Sequence, residues 1–215
     1  MKKFILPLLL ILTVGMLAAV ESEPSEIVGY VKYDMLIGNN LVAIPMECPW
    51  VNASDLGMSF SGIVDQVSYF DANTQSFSTA VDLGGFWLDD FAIGTGSILM
   101  LNSYANTSFY SIGDLPTTNA SYNLIPGNNT VMIPLNRSDL TMASEVGLDM
   151  VMGMVDQVSY FDALTQSFST SVDLGGFWLD DFPVSIAYPL MINSYSTFTW
   201  PTIETKIVQP PRRSK

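Results

Sequence analysis

Polar and apolar residues alternate along much of this chain, which is the period of a strand with one buried face. In the segment SFSTAV, Phe77, Thr79 and Val81 fall on one face while Ser76, Ser78 and Ala80 fall on the other. Val64 to Phe70 is predicted as a strand, Gln75 to Val81 as the next, and Asp71-Ala72-Asn73-Thr74 as their connection, an ordinary length for a hairpin. Asp71 and its counterpart Asp162 are suited to capping that turn with their own side chains. Upstream, Gly38-Asn39-Asn40 and Gly127-Asn128-Asn129 look like tight turns feeding the apolar strands Leu41 to Met46 and Thr130 to Leu135. Helical spacing occurs at Leu140, Ala143 and Val146, with Ser138 as a candidate N-cap and Gly147 as a candidate C′ residue. A shorter equivalent runs from Asn52 to Gly57.

These elements occur twice. Val64 to Tyr104 matches Val155 to Tyr195 at a constant offset of 91, with 31 of 41 positions identical. The match continues upstream at offsets of 90 and 89, so the chain is a tandem duplication. The boundaries are residues 27–115 for unit one and 116–207 for unit two, with a basic, Pro-rich tail at 208–215 expected to be disordered. Six or seven short strands and one short helix per unit predict a mainly β fold. Each unit is expected to be a small β-sandwich or a partly open β-barrel. The copies differ at every position between residues 92–98 and 183–189.

The N-terminus has a different pattern. Lys2 and Lys3 precede an apolar run from Ile5 to Leu17, then Ala18 and Ala19, then the polar Glu21, Ser22 and Glu23. This predicts a secretory signal over residues 1–22, too short in its apolar part for a spanning helix, and no membrane-crossing helix after cleavage. The expected location is outside the cytoplasm: secreted, periplasmic or on the cell surface. The chain is 48% hydrophobic and 13% charged, so it can bury a core. Cys48 is the single cysteine, which excludes an intrachain disulfide, and it is read as a small buried apolar residue.

Charge narrows the function classes. The net charge is −13, and Arg137 is the one cation between Tyr33 and Thr205, which argues against nucleic-acid binding. A protein or glycan at the cell surface remains a possible partner, and the oligomeric state is open. Histidine is absent, which removes the commonest general base and metal ligand. Paired carboxylates are the remaining catalytic option. Asp65, Asp71, Asp82, Asp89 and Asp90 all recur in unit two, and a small protein seldom carries two complete active sites, so the expectation is a non-enzyme.

Two sets of residues are singled out as candidate sites. Asp89-Asp90 and Asp180-Asp181, each following a Gly-Gly loop, could contribute oxygens to a Ca²⁺ ion, or could be turn residues and caps; no other cofactor is expected. Tyr69, Phe86 and Trp87 recur as Tyr160, Phe177 and Trp178, and are candidates for stacking on a sugar ring or anchoring a protein contact. Adjacent Tyr69 and Phe70 point to opposite faces of a strand, so one of them lies outside the unit's main core.

The run N-N-x-V-x-I-P at Asn39 to Pro45 and Asn128 to Pro134, followed by V-S-Y-F-D-A-x-T-Q-S-F, resembles a tandem β-rich module of secreted or surface-associated bacterial proteins. Phe70 and Phe77 stand where that module usually has Trp. The resemblance implies a β-rich, extracytoplasmic protein of bacterial style with no assigned activity. Together these readings favour a non-enzymatic structural or binding module, with a carbohydrate-binding protein bearing two equivalent aromatic sites as the alternative.

Overall fold

The structure, a computed structural model, describes residues 28–60, 62–150 and 153–201. The signal segment 1–22 and the tail 208–215 therefore lie outside the described residues. Unit one consists of β1 (Val28–Met35), β2 (Gly38–Ala43), α1 (Ala53–Ser59), β3 (Val64–Asp71), β4 (Ser76–Asp82), β5 (Trp87–Leu88), β6 (Ile98–Ser103) and β7 (Thr107–Asp114). Unit two repeats the order as β8 (Tyr122–Leu124), β9 (Gly127–Met132), α2 (Ala143–Asp149), β10 (Val155–Asp162), β11 (Ser167–Asp173), β12 (Trp178–Leu179), β13 (Pro189–Ser194) and β14 (Phe198–Trp200).

Each unit is a five-stranded antiparallel sheet, ordered β2-β6-β3-β4-β5 or β9-β13-β10-β11-β12, packed against a two-stranded ribbon, β1-β7 or β8-β14. The expected mainly β architecture of two similar units is present, as open sandwiches and not closed barrels. The helix and ribbon cover one face of the sheet. In unit one Met35, Val42, Ile44, Leu56, Val67, Leu101 and Phe109 form that core, and Leu124, Ile133, Val146, Val158, Ile192 and Trp200 do the same in unit two. The buried face carries Val67 and Ala80, while Phe70 pairs with Phe77 on the other face, ring centroids 5.2 Å apart.

Two local expectations change. Gly38-Asn39-Asn40 is not a turn but the opening of β2, because each residue has a structural task there. Gly38 has φ +100, Asn39 pairs with Asn102, and the Asn40 side chain binds the backbone N–H and C=O of Leu36, closing the β1–β2 connection. Unit two repeats this with Gly127, Asn128 and Asn129.

The second change concerns the helix. Ser138 is not its cap: α2 starts at Ala143, with Glu145 reaching back to the N–H groups of Thr141 and Met142 at 2.7 and 3.1 Å. Gly147, expected at C′, lies within the helix. A Cβ there would meet the indole of Trp178 at 2.2 Å, and Gly57 stands to Trp87 in the same way at 2.1 Å. The glycine is set by close approach of a ring, not by helix termination.

The units pack against each other around a pseudo-two-fold relation. Ala43 and Ile98 of unit one meet Met132 of unit two in a small buried cluster, flanked by Tyr33, Leu41, Ala120 and Tyr122. The Tyr33 hydroxyl donates to the Ala187 carbonyl at 2.8 Å, and Tyr122 donates to the Gly96 carbonyl at 3.1 Å. These are equivalent contacts made in opposite directions, as in an isologous dimer interface.

Candidate functional site

The repeated glutamines seal the sheet edges. Gln75 and Gln166 end the β3–β4 and β10–β11 turns in the left-handed region, φ 53 and 55. The Gln166 amide accepts from the Asn39 N–H at 2.7 Å and donates to the Asn39 carbonyl at 3.0 Å. Gln75 does the same to Asn128 across the interface, at 2.8 and 3.0 Å. β2 and β9 are edge strands, and a side-chain amide presents the same donor and acceptor as another peptide group. Any Cβ at Gly38 or Gly127 would intrude on these amides at 2.6 and 2.7 Å. The sequence pattern puts Gln75 at the start of the second hairpin strand and points to no role for it. The available signal was an identical Gln at the same turn position of both units.

Four of the five repeated aspartates in each unit are committed to local structure. Asp71 accepts from the Asn73 N–H and Asp162 from the Leu164 N–H, both at 2.9 Å. These backbone bonds are the leading reason both carboxyls sit below the usual aspartate range. Asp82 and Asp173 accept from Gly85 and Gly176 at 2.6 Å. Asp90 caps α1, taking the Ser54 N–H at 3.0 Å and its hydroxyl at 2.5 Å; Asp181 caps α2 through Ser144 at 2.9 and 2.6 Å. Asp65 and Asp156 accept from the Tyr104 and Tyr195 hydroxyls, which raises both phenols. Asp89 and Asp180 are exposed, with φ 53 and 54. Asp89-Asp90 thus divides into one helix cap and one solvated turn residue. Among the described residues no group of three or more His, Cys, Asp or Glu side chains is placed to hold a metal ion.

The aromatic candidates separate as well. Trp87 and Trp178 are half-buried, packed on the glycines of α1 and α2, with indole N–H groups that are buried without a partner. Phe86 and Phe177, one residue earlier, are exposed. Tyr69 stacks edge-on against Phe91 and Tyr160 against Phe182, each at 4.7 Å. Two grooves follow the inter-unit seam. One, of about 350 Å³, is lined by Tyr69, Phe70, Phe91, Ser97, Tyr122 and Thr130. Its counterpart, of about 340 Å³, includes Tyr33, Asn40, Phe161, Ile186, Ala187 and Tyr188. The segments that differ between units, 92–98 and 183–189, supply residues to these grooves.

Of the cations, Lys32 is paired with Asp34 at 2.6 Å, and Arg137 with Asp139 and Asp149 at 2.9 and 2.7 Å. Cys48 is half-buried, and burial pushes its thiol up. No helix among the described residues is long and apolar enough to cross a membrane. No protein-family model and no curated protein matches the chain.

Proposed function

We propose that this protein is a non-enzymatic binding module that works outside the cytoplasm. The observation that carries the reading is the employment of its acids. Four of the five repeated aspartates in each unit serve a turn, a helix cap or a tyrosine hydroxyl, so the pattern that a hydrolase would use is spent on the fold. The signal-like segment at residues 1–22 supports export. Two tests apply. The full-length chain is expressed in a bacterium, and the N-terminus of the recovered protein is read by mass spectrometry. Recovery from periplasm or medium with the first twenty-odd residues removed is expected; full-length protein confined to the cytoplasm refutes export. An Asp89→Asn, Asp180→Asn double variant is screened beside the parent on a glycoside and ester panel; turnover by the parent that this variant loses refutes the non-enzymatic reading.

A carbohydrate-binding role is the second reading. Its support is the pair of aromatic-lined inter-unit grooves, one of which places Tyr69, Phe70 and Tyr122 beside hydroxyl-bearing Ser97 and Thr130. On this reading the sugar meets Tyr69 and Phe70, or Phe161 and Tyr188, and not the half-buried Trp87 and Trp178. A neutral-oligosaccharide array separates the two: signal lost in Phe70→Ala supports the groove, and no signal on any glycan removes it.

A further inference from the structure

The hairpins β4–β5 and β11–β12 leave apolar side chains in water in both units. Leu83 is 61% exposed and Phe86 66%; their counterparts Leu174 and Phe177 are 63% and 67% exposed. Leu88 and Leu179 are exposed beside them. Cross-strand register explains why these side chains form one strip. Asp82 pairs with Trp87 and Val81 with Leu88, so Leu83, Phe86 and Leu88 share the face opposite to Trp87.

The strip is held rigidly. Leu83 N–H donates to the Phe86 carbonyl at 2.9 Å across Gly84-Gly85, both at positive φ, and Asp82 holds the Gly85 N–H. On the other face Trp87 packs against Gly57 of α1. A fixed two-residue hairpin turn loses little freedom when a partner covers it.

We propose that each hairpin is a docking plug for a protein partner whose surface offers an apolar socket rimmed by Lys or Arg. This rests on the binding reading above. Charge complementarity selects the partner. Beside each strip stands one exposed acid, Asp89 or Asp180, while Asp82 and Asp90, or Asp173 and Asp181, serve the turn and the helix on the opposite face and add to the negative charge of the same hairpin; the two described cations of the chain are paired elsewhere. A second copy of the same plug would bring carboxylates together, and an anionic bilayer would be repelled for the same reason. β5 and β12 end their sheets on the side away from β2 and β9, the strands that meet at the inter-unit seam. The plugs therefore sit on the two outer flanks, and one chain can join two partner molecules or grip one polymeric partner twice.

The test uses the purified full chain and a phage-displayed library of random dodecapeptides. Enriched peptides should combine large apolar residues with Lys or Arg. Titration calorimetry with one synthesised peptide should give two sites per chain, one in Phe86→Ser, and none in Phe86→Ser/Phe177→Ser at an unchanged melting temperature. Leu83→Asn/Leu174→Asn serves as a second variant if the first folds poorly, and should also remove binding. Raising salt from about 50 to about 500 mM should weaken the affinity several-fold, because Asp89 and Asp180 are exposed. Absence of enrichment, peptides lacking cations, or binding that survives both double variants overturns the proposal. So does cosedimentation with phosphatidylcholine vesicles, or self-association, that the double variants abolish, since a bilayer or a second copy would then be the occupant. Export and lack of turnover are measured separately and stand whatever the peptides do.

Discussion

Replacing Gln166 by Ala removes a two-point pairing between the units without touching either hydrophobic core. The lost bonds are those to the Asn39 N–H and carbonyl, at 2.7 and 3.0 Å, together with the amide's bond to the Ala163 carbonyl in its own turn at 2.7 Å. A protein hydrogen bond contributes about 0.5–1.5 kcal/mol net, which gives about 1.5–4.5 kcal/mol for three. The site is exposed, so water replaces part of this, and freeing a glutamine returns up to about 2 kcal/mol of side-chain entropy. The expected loss is therefore about 1–2 kcal/mol, read from urea denaturation followed by tryptophan fluorescence. Gln75→Ala should cost a similar amount, and the double variant about the sum, because the two clamps share no partner. Gln166→Glu should be worse than Gln166→Ala. A carboxylate can still accept from Asn39 N–H but faces the Asn39 and Ala163 carbonyls with no proton to donate. Stability of Gln166→Glu equal to or above Gln166→Ala would refute the amide-pairing argument.

Other expectations follow from the same contacts. Gly147→Ala and Gly57→Ala should each destabilise by about 1–3 kcal/mol in thermal denaturation, although alanine is the better helix former, because the added methyl displaces Trp178 or Trp87. Burial raises the Tyr33 and Tyr122 hydroxyls well above the ordinary tyrosine range, so their stabilisation is intact below about pH 10 and falls as pH rises beyond it; the alkaline loss in urea midpoint should be smaller in Tyr33→Phe/Tyr122→Phe. Burial opposes ionisation of Asp149, but its bonds to Arg137 and Trp200 prevail and hold the carboxyl below the usual range. Its contribution is thus present above about pH 4 and lost as pH falls, and Arg137→Met should cost about 1–2 kcal/mol at pH 7 and less at pH 3, by urea titration at each pH.

The duplication, the hairpins and the β-rich architecture were legible because they rest on period-two alternation and on self-similarity, which need no knowledge of neighbours. Tyr69 and Phe70 were separable to opposite faces for the same reason. What escaped depended on contacts distant in sequence. Gly147 suits a helix stop by residue type, yet it and Gly57 are set by the indole rings packed against them. Gly38-Asn39-Asn40 looked like a turn because its composition suits one, whereas its glycine makes room for an amide 128 positions further on. By residue type Asp90 and Asp181 suit calcium, a turn or a local cap, and the Ser54 and Ser144 bonds identify the groups they cap. Phe86 and Trp87 read as one aromatic feature in the sequence, but strand alternation sends one to solvent and the other to the helix.

The two units are locked edge to amide, and amide hydrogen exchange at Asn39 and Asn128 reports on that lock at its own bonds. Neither N–H has a strand partner on its outer side; each is bound by a glutamine from the other unit. Exchange followed by two-dimensional nuclear magnetic resonance should show both amides protected to about the level of the neighbouring ladder amides. Protection of Asn39 should vanish in Gln166→Ala while that of Asn128 persists. Exchange of Asn39 and Asn128 at the rate of a free chain in the parent protein would mean that the glutamines do not lock the units.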